Sequence, residues 1–183
     1  MKRLHFLKES LRNMTTVGTV TRSSAVLCKQ MIRDIDFDQS KILVELGAGD
    51  GVVTKHILNR MASDAKLYSF EVNELFCEKL AEIKDDRLVI LQRDAADIVE
   101  IMEEFGVKEV DYVVSAIPFV LVDDDVTITI INQCKKLIKE DGFFVQIHYS
   151  LVLKKLYNKL FRVVSLRFVP LNVPPAFVFT CRD

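Results

Sequence analysis

The sequence predicts a doubly wound α/β fold: a mostly parallel, seven-stranded sheet covered on both faces by helices, with an antiparallel C-terminal strand. Three observations predict it. Short apolar runs alternate with helix-spaced segments from Lys41 to about Leu160, the pattern of parallel strands joined by crossover helices. The first run ends at Glu45 and leads into glycines at alternate positions, Gly47, Gly49 and Gly51, which reads as strand, tight turn, helix. The last two runs, Val163 to Val169 and Phe177 to Cys181, are joined by Pro170 to Pro175, too short for a crossover helix, so this pair is antiparallel.

The elements follow in order. Leu4, Leu7, Leu11 and Met14 fall on one face of a short N-terminal helix over residues 2–14, and Lys2, Arg3, Lys8 and Arg12 fill much of the rest. Thr15 to Ser24 is a polar loop whose Ser23 or Ser24 can cap a helix from Ala25 to Asp34, burying Val26, Leu27, Met31 and Ile32. After the glycine turn a helix carries Val53, Ile57 and Leu58. Lys66 to Glu71 is the second strand, followed by a helix through Leu75, Phe76, Leu80 and Ile83. Leu88 to Leu91 is the third, followed by Asp94 and a helix from Ala96 to Phe105. Tyr112 to Ile117 is the fourth, Asp123 to Lys139 a long helix, Gly142 to His148 the fifth strand, and residues 150–160 a helix.

Composition limits the class. Half of the 183 residues are hydrophobic and 28% are charged, which excludes a disordered chain. No apolar run approaches the ~20 residues of a membrane span. Charges interrupt MKRLHFLKES, so no secretory leader is expected and the location expected is cytoplasmic. Cys28, Cys77, Cys134 and Cys181 are scattered and read as buried, reduced thiols. The net charge of −1 hides an asymmetry: residues 1–33 carry +6, residues 145–183 carry +5, and the stretch between carries −12. Two readings of the basic ends stay open, an anionic partner or pairing with the acidic middle.

Ligands of open α/β sheets sit at the carboxyl ends of the strands, where the strand order reverses. Glu45, Glu71, Asp94 and Ser115 each stand at or just past the end of a successive strand and should converge on one crevice. The glycine spacing narrows the ligand. A dinucleotide fingerprint needs its third glycine one residue later, and no Lys-Ser/Thr of a P-loop follows. An acid two positions before the first glycine repels phosphate and suits a cationic, amino-acid-bearing ligand. Glu71 and Asp94 also stand where each can cap the following helix.

On these residues the chain resembles the class I S-adenosylmethionine-dependent methyltransferases, whose E/D-x-G-x-G-x-G motif is matched by Glu45-Leu-Gly47-Ala-Gly49-Asp-Gly51. The resemblance spans roughly residues 40–148. It implies a Rossmann-like methyltransferase domain over residues 36–183, an N-terminal helical extension over residues 1–35, and S-adenosylmethionine as cofactor. It further implies that Glu45, Gly47, Gly49, Gly51, Glu71, Asp94, Ala95 and Ser115 hold that cofactor, Glu71 at the ribose hydroxyls and Asp94 with Ala95 at the adenine.

The acceptor is read from Ser115-Ala116-Ile117-Pro118-Phe119. Enzymes that methylate the amines of nucleic-acid bases carry Asn or Asp where Ala116 stands. The Ser-small-x-Pro pattern is similar instead to bacterial phospholipid N-methyltransferases, which methylate phosphatidylethanolamine. The loop Gly18 to Ser24, with Arg22 where that family usually has Pro, and the turn Leu171 to Ala176, preceded by Gln146-Ile-His-Tyr149, carry the same resemblance. It implies a phospholipid amine as substrate and peripheral attachment to the inner face of the membrane. The basic helix at residues 2–14 can supply that attachment to an anionic surface. Ser115, through its carbonyl, and Tyr149 are the candidates for contacting the amine. His148 lacks partners at metal-ligand spacing, and Asp123, Asp124 and Asp125 have an ordinary helix-dipole explanation, so no metal is expected. Two alternatives remain. One is an RNA adenine methyltransferase whose basic ends bind phosphate, disfavoured by the absence of an appended RNA-binding domain. The other is a cofactor-binding protein without turnover.

Overall fold

A computed structural model describes residues 23–183; the helix expected over residues 2–14 and most of the loop after it lie outside them. The first described helix, α1 (Ala25–Met31), is capped by Ser24, whose hydroxyl accepts from the Leu27 amide at 3.2 Å. It buries Leu27, Cys28 and Met31, and Ile32 follows. Val26, expected in the core, is exposed instead. At roughly 100° per residue it points away from the stripe centred on Cys28 and Met31. Arg167 clamps the end of this segment, donating to the Gln30 carbonyl at 2.9 Å and pairing with Asp34 at 2.8 Å.

Strand β1 (Ile42–Leu46), helix α2 (Val52–Leu58), strand β2 (Lys66–Phe70), helix α3 (Glu74–Ala81) and strand β3 (Leu88–Leu91) follow. A 3-10 turn (Ala95–Asp97) leads into α4 (Ile98–Glu104), then β4 (Val110–Ser115), a second 3-10 turn (Phe119–Leu121), α5 (Asp124–Leu137), β5 (Ile138–His148), α6 (Lys154–Leu160), β6 (Val163–Val169) and β7 (Ala176–Arg182). One seven-stranded sheet has the order β3-β2-β1-β4-β5-β7-β6. Strands β1 to β5 pair in parallel, and β7 is antiparallel to both neighbours. The fold class read from the sequence is the one observed.

Several boundaries shift by a few residues, and two have a visible cause. The fourth strand ends at Ser115 because the next amide but one, of Ile117, bonds back to the Ser115 hydroxyl. The fifth begins at Ile138, paired with Val110 across a register shift, rather than at Gly142. At Gly142 a Cβ would lie 2.3 Å from the Asp111 carbonyl oxygen.

Alternation along the strands divides the core. Val44, Leu46, Tyr68, Phe70, Val113 and Phe144 face α4, α5 and α6. Leu43, Leu67, Val114, Val145 and Val178 face α1 and α2. The described part of the expected extension therefore packs on the sheet. Cys28, Cys134 and Cys181 are buried free thiols, as expected, whereas Cys77 is half-buried. No described helix is long and apolar enough to cross a membrane.

Candidate active site at the carboxyl edge of the sheet

The strand order reverses between β1 and β4, so the loops after these strands diverge and leave a crevice at their carboxyl ends. The turn after β1 forms its floor. Gly47, Gly49 and Gly51 all have positive φ, at 70°, 56° and 80°. At Gly47 the conformation coincides with a close approach: a Cβ would stand 3.2 Å from Ile117, in the loop after β4. At Gly49 nothing lies within 4 Å of that direction, so the turn presents bare backbone to open space.

A pocket opens beside this turn, lined by Gly47, Phe70, Glu71, Val72, Arg93, Asp94, Ala95 and Ile117. Four residues singled out in the sequence are among these: Gly47, Glu71, Asp94 and Ala95. Glu71 is buried, accepting from the Gly49 amide at 2.8 Å and from the Asn73 amide at 2.9 Å. Burial raises its pKa above the ordinary carboxylate value, against those hydrogen bonds. Each carboxylate oxygen keeps a further lone pair, the arrangement that receives two vicinal hydroxyls. The helix-capping alternative falls for Glu71, because Asn73 caps α3. It holds for Asp94, whose Oδ1 accepts from the Ala96 amide at 2.9 Å while the side chain borders the pocket. Phe70, Val72, Ala95 and Ile117 supply apolar walls for a flat ring.

Glu45 and Ser115 lie deeper. Glu45 is 1% exposed, and one oxygen accepts from the hydroxyls of Thr54 and Ser69, both at 2.7 Å. Its Oε1 has no partner. Burial raises its pKa to about 7. Ser115 is fully buried, with its hydroxyl accepting from the Ile117 amide at 3.3 Å, so it shapes the loop and does not line the pocket. Gln146 supports the same loop from β5, donating to the Ile117 carbonyl at 2.9 Å.

Tyr149 is half-exposed just past β5, and the Asn172 side chain acts on its hydroxyl, opposing the rise in pKa that burial gives it. Asn172 is the functional candidate that reading the sequence missed. It is 1% exposed, accepts from the Ser24 amide at 3.0 Å and donates to the Pro174 carbonyl at 2.7 Å. The sequence showed it only as one member of a turn; its role arises from contact across 148 positions. His148 is buried, its Nε2 lies 3.0 Å from the Tyr157 hydroxyl, and desolvation lowers its pKa to about 4, so it is a neutral core residue. Asp123, Asp124 and Asp125 begin α5, as the dipole explanation requires. Among the described residues no cluster of three His, Cys, Asp or Glu is arranged to hold a metal ion.

No family model matches the chain. Over 180 residues it is 28% identical to an ornithine lipid N-methyltransferase of Singulisphaera acidiphila, covering 97% of this chain and 94% of that one. A ribosomal RNA small subunit methyltransferase H of Christiangramia forsetii is 29% identical over 86 residues, which is 47% of this chain and 28% of that one. Among solved structures, a precorrin-6y C5,15-methyltransferase from Geobacter metallireducens superposes with a TM-score of 0.73 at 12% identity, over 90% of this chain and 92% of that one. An S-adenosylmethionine-dependent O-methyltransferase from Thermotoga maritima superposes with a TM-score of 0.66 at 14% identity, over 94% and 71%. At these identities the structural likeness shows the fold.

Proposed function

We propose that this chain, a class I S-adenosylmethionine-dependent methyltransferase, methylates the amine of a lipid head group, with phosphatidylethanolamine the first acceptor to test. One observation carries the acceptor. The Ser24 amide donates to the Asn172 side chain at 3.0 Å, and Tyr149 stands beside that side chain, whose influence opposes the rise that burial gives its pKa. These three residues come from the three separate stretches whose sequence resembles phospholipid N-methyltransferases. The full-length similarity to an ornithine lipid N-methyltransferase supports a lipid nitrogen as acceptor.

The residues present fit the cofactor. Gly49 offers open backbone, Glu71 offers carboxylate oxygens beside the pocket, and the buried, unpartnered Oε1 of Glu45 suits a nearby positive charge. Gly47, Gly49, Gly51, Glu71, Asp94 and Ala95 would hold the nucleoside and amino-acid parts, with Glu45 and Ser115 stabilising the loops beneath. When bound, S-adenosylmethionine supplies a methyl group on a positively charged sulfur, a good leaving group. The protein's task is then to position a neutral amine in line and remove water from it. With the cofactor held there, the amine lone pair would take up the methyl group as its bond to sulfur broke, and the surplus ammonium proton would leave to solvent. No strong base is needed, and His148, tied to Tyr157, is not placed to be one. Tyr149, its pKa raised by burial, stays protonated and can orient the amine as acceptor or hold the head group as donor. Asn172 fixes the ring's position and is a positioning residue.

The test is transfer of labelled methyl to phosphatidylethanolamine or ornithine lipid in vesicles, with bulk RNA as a parallel acceptor. Label in the lipid amine supports the reading. Label in adenine alone assigns the RNA alternative, and calorimetric cofactor binding without product on any acceptor assigns a binding protein.

A further inference from the structure

The carboxyl edge carries an apolar surface that the cofactor crevice does not use. Val152, Leu171 and Val173 are 75%, 75% and 78% exposed, and Leu151 is also exposed. They belong to two loops, after β5 and between β6 and β7, which are adjacent because His148 at the end of β5 pairs with Phe177 at the start of β7. Phe168, exposed and 5.1 Å from the Phe177 ring, continues the surface along the edge strand. An exposed apolar run of this kind on a globular protein marks an interaction site.

Charge and chain direction indicate the occupant. Exposed Lys154 and Lys155 begin α6, directly after the first of these loops. Residues 1–22, with their basic amphipathic pattern, join the described chain at this same junction, through the Ser24 amide on Asn172. Apolar loop tips beside a basic helix match an anionic bilayer, with the side chains entering the acyl boundary and the lysines at the head groups.

We propose that the loops Tyr149–Val152 and Leu171–Val173, flanked by Lys154 and Lys155, are the surface on which the enzyme rests on an anionic membrane. This places the mouth of the crevice at the lipid interface. It rests on the lipid-amine reading, and it adds a docking face independent of residues 2–14.

The experiment uses the full chain and phosphatidylcholine vesicles with or without phosphatidylglycerol. V152E/V173E is expected to lower partition onto anionic vesicles at least tenfold and to lower methyl transfer to vesicle phosphatidylethanolamine in step. Calorimetric cofactor affinity and methylation of a short-chain, water-soluble phosphatidylethanolamine stay unchanged. K154E/K155E, which cannot disturb the apolar loops, is expected to lose the preference for phosphatidylglycerol. V163E, an exposed position at the far end of β6, is expected to bind as the wild type does. Full vesicle binding by both double variants overturns the proposal, as does binding lost only on deleting residues 2–14. A switch from dimer to monomer with unchanged vesicle binding also overturns it, assigning the face to self-association. Label absent from both vesicle and soluble lipid, with vesicle binding intact, defeats the lipid-amine reading and leaves the docking face standing.

Discussion

The carboxylate of Glu71 accepts the amide of Gly49 at 2.8 Å, tying the end of the second strand to the middle of the glycine turn. One residue thereby shapes the turn and borders the pocket. Glu71→Ala leaves the Gly49 and Asn73 amides without their acceptor, a loss of about 1–3 kcal/mol in a buried setting. Cofactor affinity by calorimetry is expected to fall at least tenfold, and Glu71→Gln, which keeps one acceptor, less. Unchanged affinity in Glu71→Ala would remove Glu71 from the site.

Two glycine variants separate folding from binding. Both positions have positive φ, so alanine costs each about 1–2 kcal/mol. Gly47→Ala adds a clash with Ile117 and is expected to lower Tm further than Gly49→Ala does. Gly49→Ala places a methyl group in the open space that the turn presents and is expected to abolish cofactor binding at a modest cost in Tm. Equal melting of the two, with full binding by Gly49→Ala, contradicts the geometry.

Stability should carry a pH signature from Glu45. Its carboxyl has a pKa of about 7 in the fold against 4.5 as the ordinary value. Between these values the folded chain holds a proton that the unfolded chain has lost, so stability falls as pH rises through the window. The size is about 3 kcal/mol by linkage. His148 acts oppositely: its pKa of about 4 lies below the ordinary 6.5, so its contribution is present above 6.5 and lost as pH falls toward 4. The two slopes offset one another in the wild type. Denaturant titrations are expected to show Glu45→Gln gaining on the wild type by about 3 kcal/mol between pH 5 and pH 8. A constant difference across that range would show that Glu45 is ionised throughout.

Asn172→Ala is expected to lower lipid methylation at least tenfold with unaltered cofactor affinity. The stability cost is about 1–3 kcal/mol, because the Ser24 amide and the Pro174 carbonyl lose a buried partner. Wild-type transfer by this variant would show that the junction is structural only.

The sequence made the sheet, its single antiparallel strand and the pocket-lining Gly47, Glu71, Asp94 and Ala95 readable, because strand ends and glycine turns are local signals. Glu45 was less so. Its acidity was read as a reply to a positive ligand; the fold adds two partners that the sequence did not show, Thr54 and Ser69, on one oxygen only. Register explains this: Glu45 stands opposite Ser69 on the neighbouring strand, and strand alternation turns both toward α2. Ser115 was read as meeting the amine through its carbonyl; what the sequence did not show is its side chain, buried under the loop with the hydroxyl accepting from the Ile117 amide. Val26 was lost to a helix phase that only packing reveals. Asn172 depended on pairings between chain segments far apart, which no local pattern encodes.

The central claim is the acceptor, and mass spectrometry of lipid and RNA from cells with and without this chain tests it most directly. The account predicts mono-, di- or trimethylated head-group amines in the lipid only when the chain is present, and no change in RNA adenine. An unaltered lipid fraction beside newly methylated adenine would contradict it.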